Sequence, residues 1–184
     1  MRRFNAFHRP MNAARRSLLS MLSVLSVQSL LLVAPLPAAA LEAGDRAPDF
    51  AAPALGGGGT VELSRHRGKI VYLDFWASWC APCLTAIPEI ERMREALPAD
   101  RFQVIAVNLD PDPKKALRFL EKNPIGYPSA HDPKGRLPSQ FGVDTMPTSY
   151  LIDGDGVIRH VHRGFKRGDG DDLRREIRRL LGGD

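Results

Sequence analysis

From about residue 41 onward the chain predicts an α/β domain, and three observations carry that class. Two continuous apolar runs, "KIVYLDFWA" (69–77) and "FQVIAVNLD" (102–110), have the composition of strands buried on both faces. Between and after them lie segments whose apolar residues recur at helical spacing. Toward the end, "TSYLID" (148–153) and "VIRHVHRG" (157–164) flank "GDG", a hairpin signal. Strands and helices alternating in this way build layers around one sheet.

Taken in order, the first element is an extended lead-in, "GDRAPDF" (44–50). A short strand, "TVELS" (60–64), follows the glycine turn "GGGG" (56–59), and 69–77 is the first long strand. "CLTAIPEIERMREAL" (83–97) is helical, with Ile87, Ile90, Met93 and Leu97 on one side and Pro88 expected to kink it. Beyond the second buried strand, "PKKALRFLEKN" (113–123) forms a helix and "GYPSAHDPKG" (126–135) reads as loops. The hairpin over 148–164 comes next. A last helix, "DDLRREIRRLLGG" (171–183), ends in a glycine stop. There is no internal repeat and no linker long enough to separate a second domain.

At 184 residues the chain can bury one real core. Its net charge of +5 invites a nucleic-acid reading, so the origin of that charge matters. Five arginines and no acid fall in residues 1–40, which leaves 21 basic against 21 acidic residues beyond them. A phosphate-binding surface thereby loses its main support, and no nucleic acid is expected as a partner. Residues 1–40 have the basic, apolar and small-residue parts of a secretory signal, with cleavage expected after Ala40. The apolar stretch 17–34 has 18 residues, near the lower limit for a span, and six of them are polar. A cleaved signal is therefore the expectation and a retained anchor the alternative. Either route carries the domain, 41–184, outside the cytoplasm, with the membrane touched only through the leader.

"DFWASWCAPC" (74–83) holds both cysteines of the chain. A disulfide closing so small a loop removes little unfolded-state entropy, so a structural staple would be poorly placed. A structural zinc or copper site needs more donors, and no third cysteine exists. The third reading is a reversible redox pair. At a strand-to-helix junction Cys80 would sit at the helix N-terminus, where free N–H groups and the helix dipole steady a thiolate. Pro82 is tolerated in the first turn, and Cys83, one turn deeper, would face Cys80 and be shielded. One sulfur then attacks and the other resolves.

Asp74 is the odd residue of the apolar run. An ionised carboxylate buried there costs several kcal/mol unless paired, so its proton should be held more tightly than usual. Its functional role would be proton exchange with Cys83; its structural role would be a carboxylate satisfied by a neighbouring donor. "TMPT" (145–148) opens a strand with Pro147, which forfeits no ladder bond there, and both isomers of the Met146–Pro147 bond stay open. His160 and His162 alternate along a strand beside Arg159 and Arg163, the pattern of a solvated face; His66 and His131 are lone loop histidines. "GGGG" lacks the residues of a phosphate loop, and "DGDGVIRHVHRG" ends in Gly164 where a calcium loop needs glutamate.

With those residues in view, "VYLDFWASWCAPC", the proline five residues after the second cysteine and "GVDTMPTSYLIDGDG" resemble the thioredoxin superfamily. The "GDRAPDF" lead-in, the extra helix at 113–123 and the leader resemble its TlpA/ResA/CcmG branch of extracytoplasmic thiol-disulfide oxidoreductases. The resemblance covers about 44–182. It implies a thioredoxin-like fold, a central mixed sheet flanked by helices, with an N-terminal extension and an inserted helix. It also implies a cis-proline loop packed on the C-x-x-C, with Trp79, Ala81, Pro82, Met146 and Pro147 binding substrate beside the catalytic Cys80, Cys83 and Asp74. The expected partners are proteins bearing disulfides or thiols and a membrane electron donor of the DsbD/CcdA type, with no cofactor beyond the cysteine pair. Two departures stand out. Ala86 occupies the place where many cytochrome-maturation members carry glutamate, and Ala106 replaces thioredoxin's buried lysine, leaving Asp74 without a cationic partner.

The activity implied is protein dithiol-disulfide exchange, as a reductant, in cytochrome c or copper-site maturation. Two other classes compete. A copper-delivery protein of related fold carries C-x-x-x-C and a distant histidine, whereas the spacing here is one shorter. A peroxiredoxin-type peroxidase needs Thr or Ser three residues before its reactive cysteine, and Ala77 stands there.

Overall fold

The computed structural model describes residues 40–182; residues 1–39, on which the leader reading falls, and 183–184 lie outside the described residues. Its centre is a five-stranded mixed sheet in the order β5 (Ser129–His131), β4 (Phe102–Asn108), β3 (Ile70–Trp76), β6 (Thr148–Ile152), β7 (Ile158–Arg163). The middle strand, β3 (Ile70–Trp76), is buried at every residue, as its unbroken apolar run requires. It pairs in parallel with β4 (Phe102–Asn108), which pairs in parallel with β5 (Ser129–His131). On the other side it runs antiparallel to β6 (Thr148–Ile152), which forms the expected hairpin with β7 (Ile158–Arg163). Gly156 turns that hairpin at φ 83°, a conformation open to glycine.

Alternate residues of β3 feed two cores. Tyr72, Asp74 and Trp76 point to the side of α1 (Ala81–Glu95) and α4 (Asp169–Leu180), where Ile87, Ile90 and Met93 of α1 meet Leu173 and Ile177 of α4. Ala116 of α2 (Pro113–Lys122) joins the same core, capped at its start by the Asp112 carboxylate, which accepts from Lys114 N–H at 3.0 Å. Leu73 and Phe75 point the other way, against Phe141 of α3 (Arg136–Phe141) and Phe50 of the N-terminal segment. Phe141 packs between Phe75 and Tyr150, with ring centroids 5.5 and 5.3 Å away.

The structure corrects the expected elements in five places. The short strand over 60–64 ends at Glu62, and Leu63–His66 is a 3-10 turn. That strand, β2 (Thr60–Glu62), pairs antiparallel with β1 (Ala51–Pro53), which falls just beyond the lead-in. The stretch 126–135 holds β5, so His131 is a strand residue and its Nε2 lies 2.8 Å from Asp110 O. The six-residue α3 lies between two glycines in the left-handed region, Gly135 and Gly142. The small β1–β2 ribbon reaches the large sheet at β5, through the bridge Ala54–Ala130 and a 2.7 Å hydrogen bond from Leu55 N–H to Ser129 O. α1 begins two residues earlier than its periodicity indicated and continues through Pro88.

Candidate active site

Cys80 ends the turn between β3 and α1. Its backbone is extended (φ −93°, ψ 96°), it caps α1, and Pro82 lies in the first turn, where no N–H is required. Cys80 and Cys83 are joined in a disulfide with Sγ–Sγ 2.00 Å and Cα–Cα 5.2 Å, and Cys80 Sγ accepts from Cys83 N–H at 3.3 Å. Cys80 keeps 6% of its surface exposed and Cys83 none. When the bond opens, the outer sulfur lies at the positive end of α1, while the inner one is enclosed by apolar side chains. That asymmetry suits one attacking and one resolving thiol.

Beside Cys80 runs a groove of about 580 Å³, lined by Trp79, Ala81, Pro82, Leu109, Val143 and Met146 with their neighbours. Trp79 is 63% exposed, the one large apolar side chain left in solvent among the described residues. The Met146–Pro147 peptide bond is cis. Pro147 is itself buried and its carbonyl accepts from Gly164 N–H at 2.8 Å, whereas the Met146 amide and carbonyl have no backbone partner among the described residues. All five residues expected to bind substrate therefore gather at Cys80, four on the groove wall and Pro147 just behind it.

Asp74 is 1% exposed and faces the same core as Cys83. Burial pushes its carboxyl from the ordinary 3.8 up to about 7, and a hydrogen bond from Ser149 Oγ, 2.9 Å from Oδ1, partly opposes the rise. Across the sheet it pairs with Ala106, so the strand position that could carry a cation carries a methyl group. Ala86 of α1 is wholly buried in the same core.

Sequence reasoning overlooked three contributors. Asp110, 1% exposed, follows β4 and takes two hydrogen bonds from Ser78, two residues before Cys80. Its signal was the pair of polar residues, Asn108 and Asp110, closing an apolar run. Ser149, the partner of Asp74, and Tyr72, the partner of Ser149, lie in strands where nothing local marks either for that task.

His160 and His162 do share one face, with ring centroids 6.2 Å apart. They line a separate depression with Asp169, Glu176 and Arg179, and His162 Nε2 lies 3.1 Å from Asp169 Oδ2. Among the described residues no group of three or more His, Cys, Asp or Glu side chains converges on a point that could hold a metal. Ala77, three residues before Cys80, is fully buried and offers no hydroxyl to the sulfur.

Comparison with known proteins agrees with this geometry. Residues 43–161 match the model of the AhpC/TSA family. The chain is 34% identical over 127 residues to the thioredoxin-like protein YneN of Bacillus subtilis, covering 67% of this chain and 73% of that one. It is 32% identical over 124 residues to the thiol-disulfide oxidoreductase ResA of Bacillus thuringiensis, covering 67% and 71%. A Chlorobium tepidum chain assigned as thiol:disulfide interchange protein DsbE superposes with a TM-score of 0.73 at 45% identity, covering 78% of this chain and all of that one. The chain belongs to the AhpC/TSA family and, within it, is a thioredoxin-like protein-disulfide oxidoreductase of the ResA and DsbE type.

Proposed function

We propose that the protein works in the periplasm as a reductant of protein disulfides, with Cys80 as nucleophile, Cys83 as resolving thiol and Asp74 as the group that takes the Cys83 proton. The carrying observation is the asymmetric disulfide: Cys80 at the helix cap beside the groove, Cys83 fully enclosed. Cys80 thiolate attacks one sulfur of a substrate disulfide and releases the other as a thiolate, which is protonated by water. Cys83 then gives its proton to the Asp74 carboxylate, attacks Cys80 Sγ and breaks the mixed disulfide. The second substrate sulfur leaves as a thiolate, two electrons have passed to the substrate, and the Cys80–Cys83 bond is restored.

Trp79, Ala81, Pro82 and Met146 receive the substrate chain, and Pro147 holds the Met146 backbone groups toward it. Export by the leader, cleaved after Ala40, or anchoring by it, accounts for the location. A reductant in an oxidising compartment needs electrons, and a membrane dithiol donor of the DsbD/CcdA type supplies them. Apocytochrome c and copper-site proteins are the substrate classes that the family resemblance favours.

The test is the Cys83→Ser variant, which halts the cycle at the mixed disulfide. Recovery of partners bonded to Cys80, absent from the Cys80→Ser control, is expected; recovery of none overturns the exchange mechanism. A midpoint potential near thioredoxin's, about −270 mV, supports the reductant direction, and one near about −120 mV reverses it.

A further inference from the structure

The Asp74 carboxylate is held by a chain of two hydroxyls. Tyr72 Oη donates to Ser149 Oγ at 2.8 Å, and Ser149 Oγ donates to Asp74 Oδ1 at 2.9 Å, all three residues being buried. The direction of this chain follows from counting hydrogens. Among the described residues the Tyr72 hydroxyl has one hydrogen-bond partner, Ser149, so its hydrogen goes there. Ser149 has a single hydrogen of its own, and with Tyr72 occupying a lone pair that hydrogen is left for Asp74. Burial pushes the Tyr72 phenol upward from its ordinary range, with the Asp74 charge adding to the effect, so it stays a donor at every working pH.

The sheet register puts these groups in line. Asp74 lies opposite Ser149 across β3–β6, and opposite Ala106 across β3–β4. We propose that Ser149, aimed by Tyr72, is the positioning residue that steadies the ionised Asp74 carboxylate, in a place where no cation is available to do so. Its bearing on catalysis rests on the reading of Asp74 as the group that takes the Cys83 proton. The remaining titratable and charged groups on this side of the sheet are few. α1 brings Cys83 and the Glu91–Arg94 ion pair, and Tyr127 precedes β5. β7 and α4 bring His162, level with Ser149, and Asp169, already bound to His162 and to Lys166 N–H. None of the cations among them hydrogen-bonds Asp74; among the described residues Ser149 alone does so.

The decisive measurement is the titration of the Asp74 side-chain carboxyl by carbon NMR in the full-length protein, assigned with Asp74→Asn. Ser149→Ala is expected to raise the Asp74 midpoint by roughly one pH unit, because the charged form loses its donor. Ser149→Thr, which keeps the hydroxyl, restores the original midpoint. Tyr72→Phe, which keeps Ser149 but frees its hydrogen to turn elsewhere, raises it by less. An unmoved midpoint in folded Ser149→Ala overturns the assignment, and one unmoved only in Tyr72→Phe overturns the share given to Tyr72. Should Ser149→Ala fail to fold, Ser149→Cys, of similar size but with only a weak S–H donor, takes its place under the same criterion. The pH profile of disulfide reduction separates this inference from the proposed function. If the Asp74 midpoint moves while the profile stays in place, Ser149 keeps its assigned role and the proton-exchange role of Asp74 falls.

Discussion

Ser78 gives both its donors to Asp110: its backbone N–H lies 2.8 Å from Oδ2 and its hydroxyl 2.6 Å from Oδ1. Asn108 Nδ2 adds a third bond to the same carboxylate at 2.7 Å. The turn that presents Cys80 is thereby fastened to the end of β4 rather than left to its own sequence. Asp110→Ala strands three donors, one buried and two half-buried, and is expected to cost roughly 2–4 kcal/mol. Urea unfolding of the disulfide-intact protein measures it, and the rate of disulfide exchange should fall with it.

Asp74 makes stability depend on pH with a definite sign. Its folded value, about 7, lies above the ordinary 3.8, so between those limits the folded state binds more protons than the unfolded one. The Asp74 contribution is fully present below about pH 4 and is lost as pH rises through 7. Asp74→Asn still offers Ser149 an acceptor and has no charge to bury. Its unfolding free energy is expected to exceed the parent's at pH 8 by on the order of 2–4 kcal/mol, with the gap closing at pH 4.

Asp74→Asn should also slow reduction of protein disulfides and remove the inflection near neutral pH from the rate profile. An unchanged profile would demote Asp74 to a structural carboxylate.

Trp79 separates docking from chemistry. Because most of its surface is already in water, Trp79→Ala is expected to change stability by no more than about 0.5 kcal/mol. It should raise KM for protein substrates while leaving the reaction with a small dithiol unaltered, since only a large partner uses the groove wall.

Phe141 tests the opposite core. Its ring is fully enclosed against Phe50, Phe75 and Tyr150, and Tyr150 Oη donates to its backbone carbonyl at 2.8 Å. Phe141→Ala is expected to cost about 3–5 kcal/mol in chemical denaturation, with the disulfide geometry untouched on the other side of the sheet.

What the sequence revealed and what it hid divides along a physical line. β3 was legible because burial on both faces demands an unbroken apolar run, and Cys80 because a C-x-x-C after such a run falls on a helix cap. β5 was not: three residues, flanked by Pro128 and ending in His131, are too short for any period to show. α3 spans six residues with Pro138 inside, and its bounding glycines look the same as loop glycines. Asp74 announced itself as a buried acid, but its donor lies 75 residues away and meets it only through the register of β3 and β6. Ser149 in a strand carries no local mark of that task. The cis Met146–Pro147 bond likewise depends on the tertiary surroundings, which the tetrapeptide does not contain.

The ribbon of β1 and β2 has one more effect, on how molecules meet each other. By bridging to β5 at Ala130 and bonding Ser129 O, it takes up part of the margin that a stranger's strand could join. The far margin, β7, is joined at its start by the lead-in, where Ile158 exchanges backbone hydrogen bonds with Gly44 and Asp45, and Arg159 and Arg163 beyond it are paired with Asp153 and Glu42. A protein-disulfide oxidoreductase is thus guarded, along part of both margins, against lending its sheet to another chain's strand.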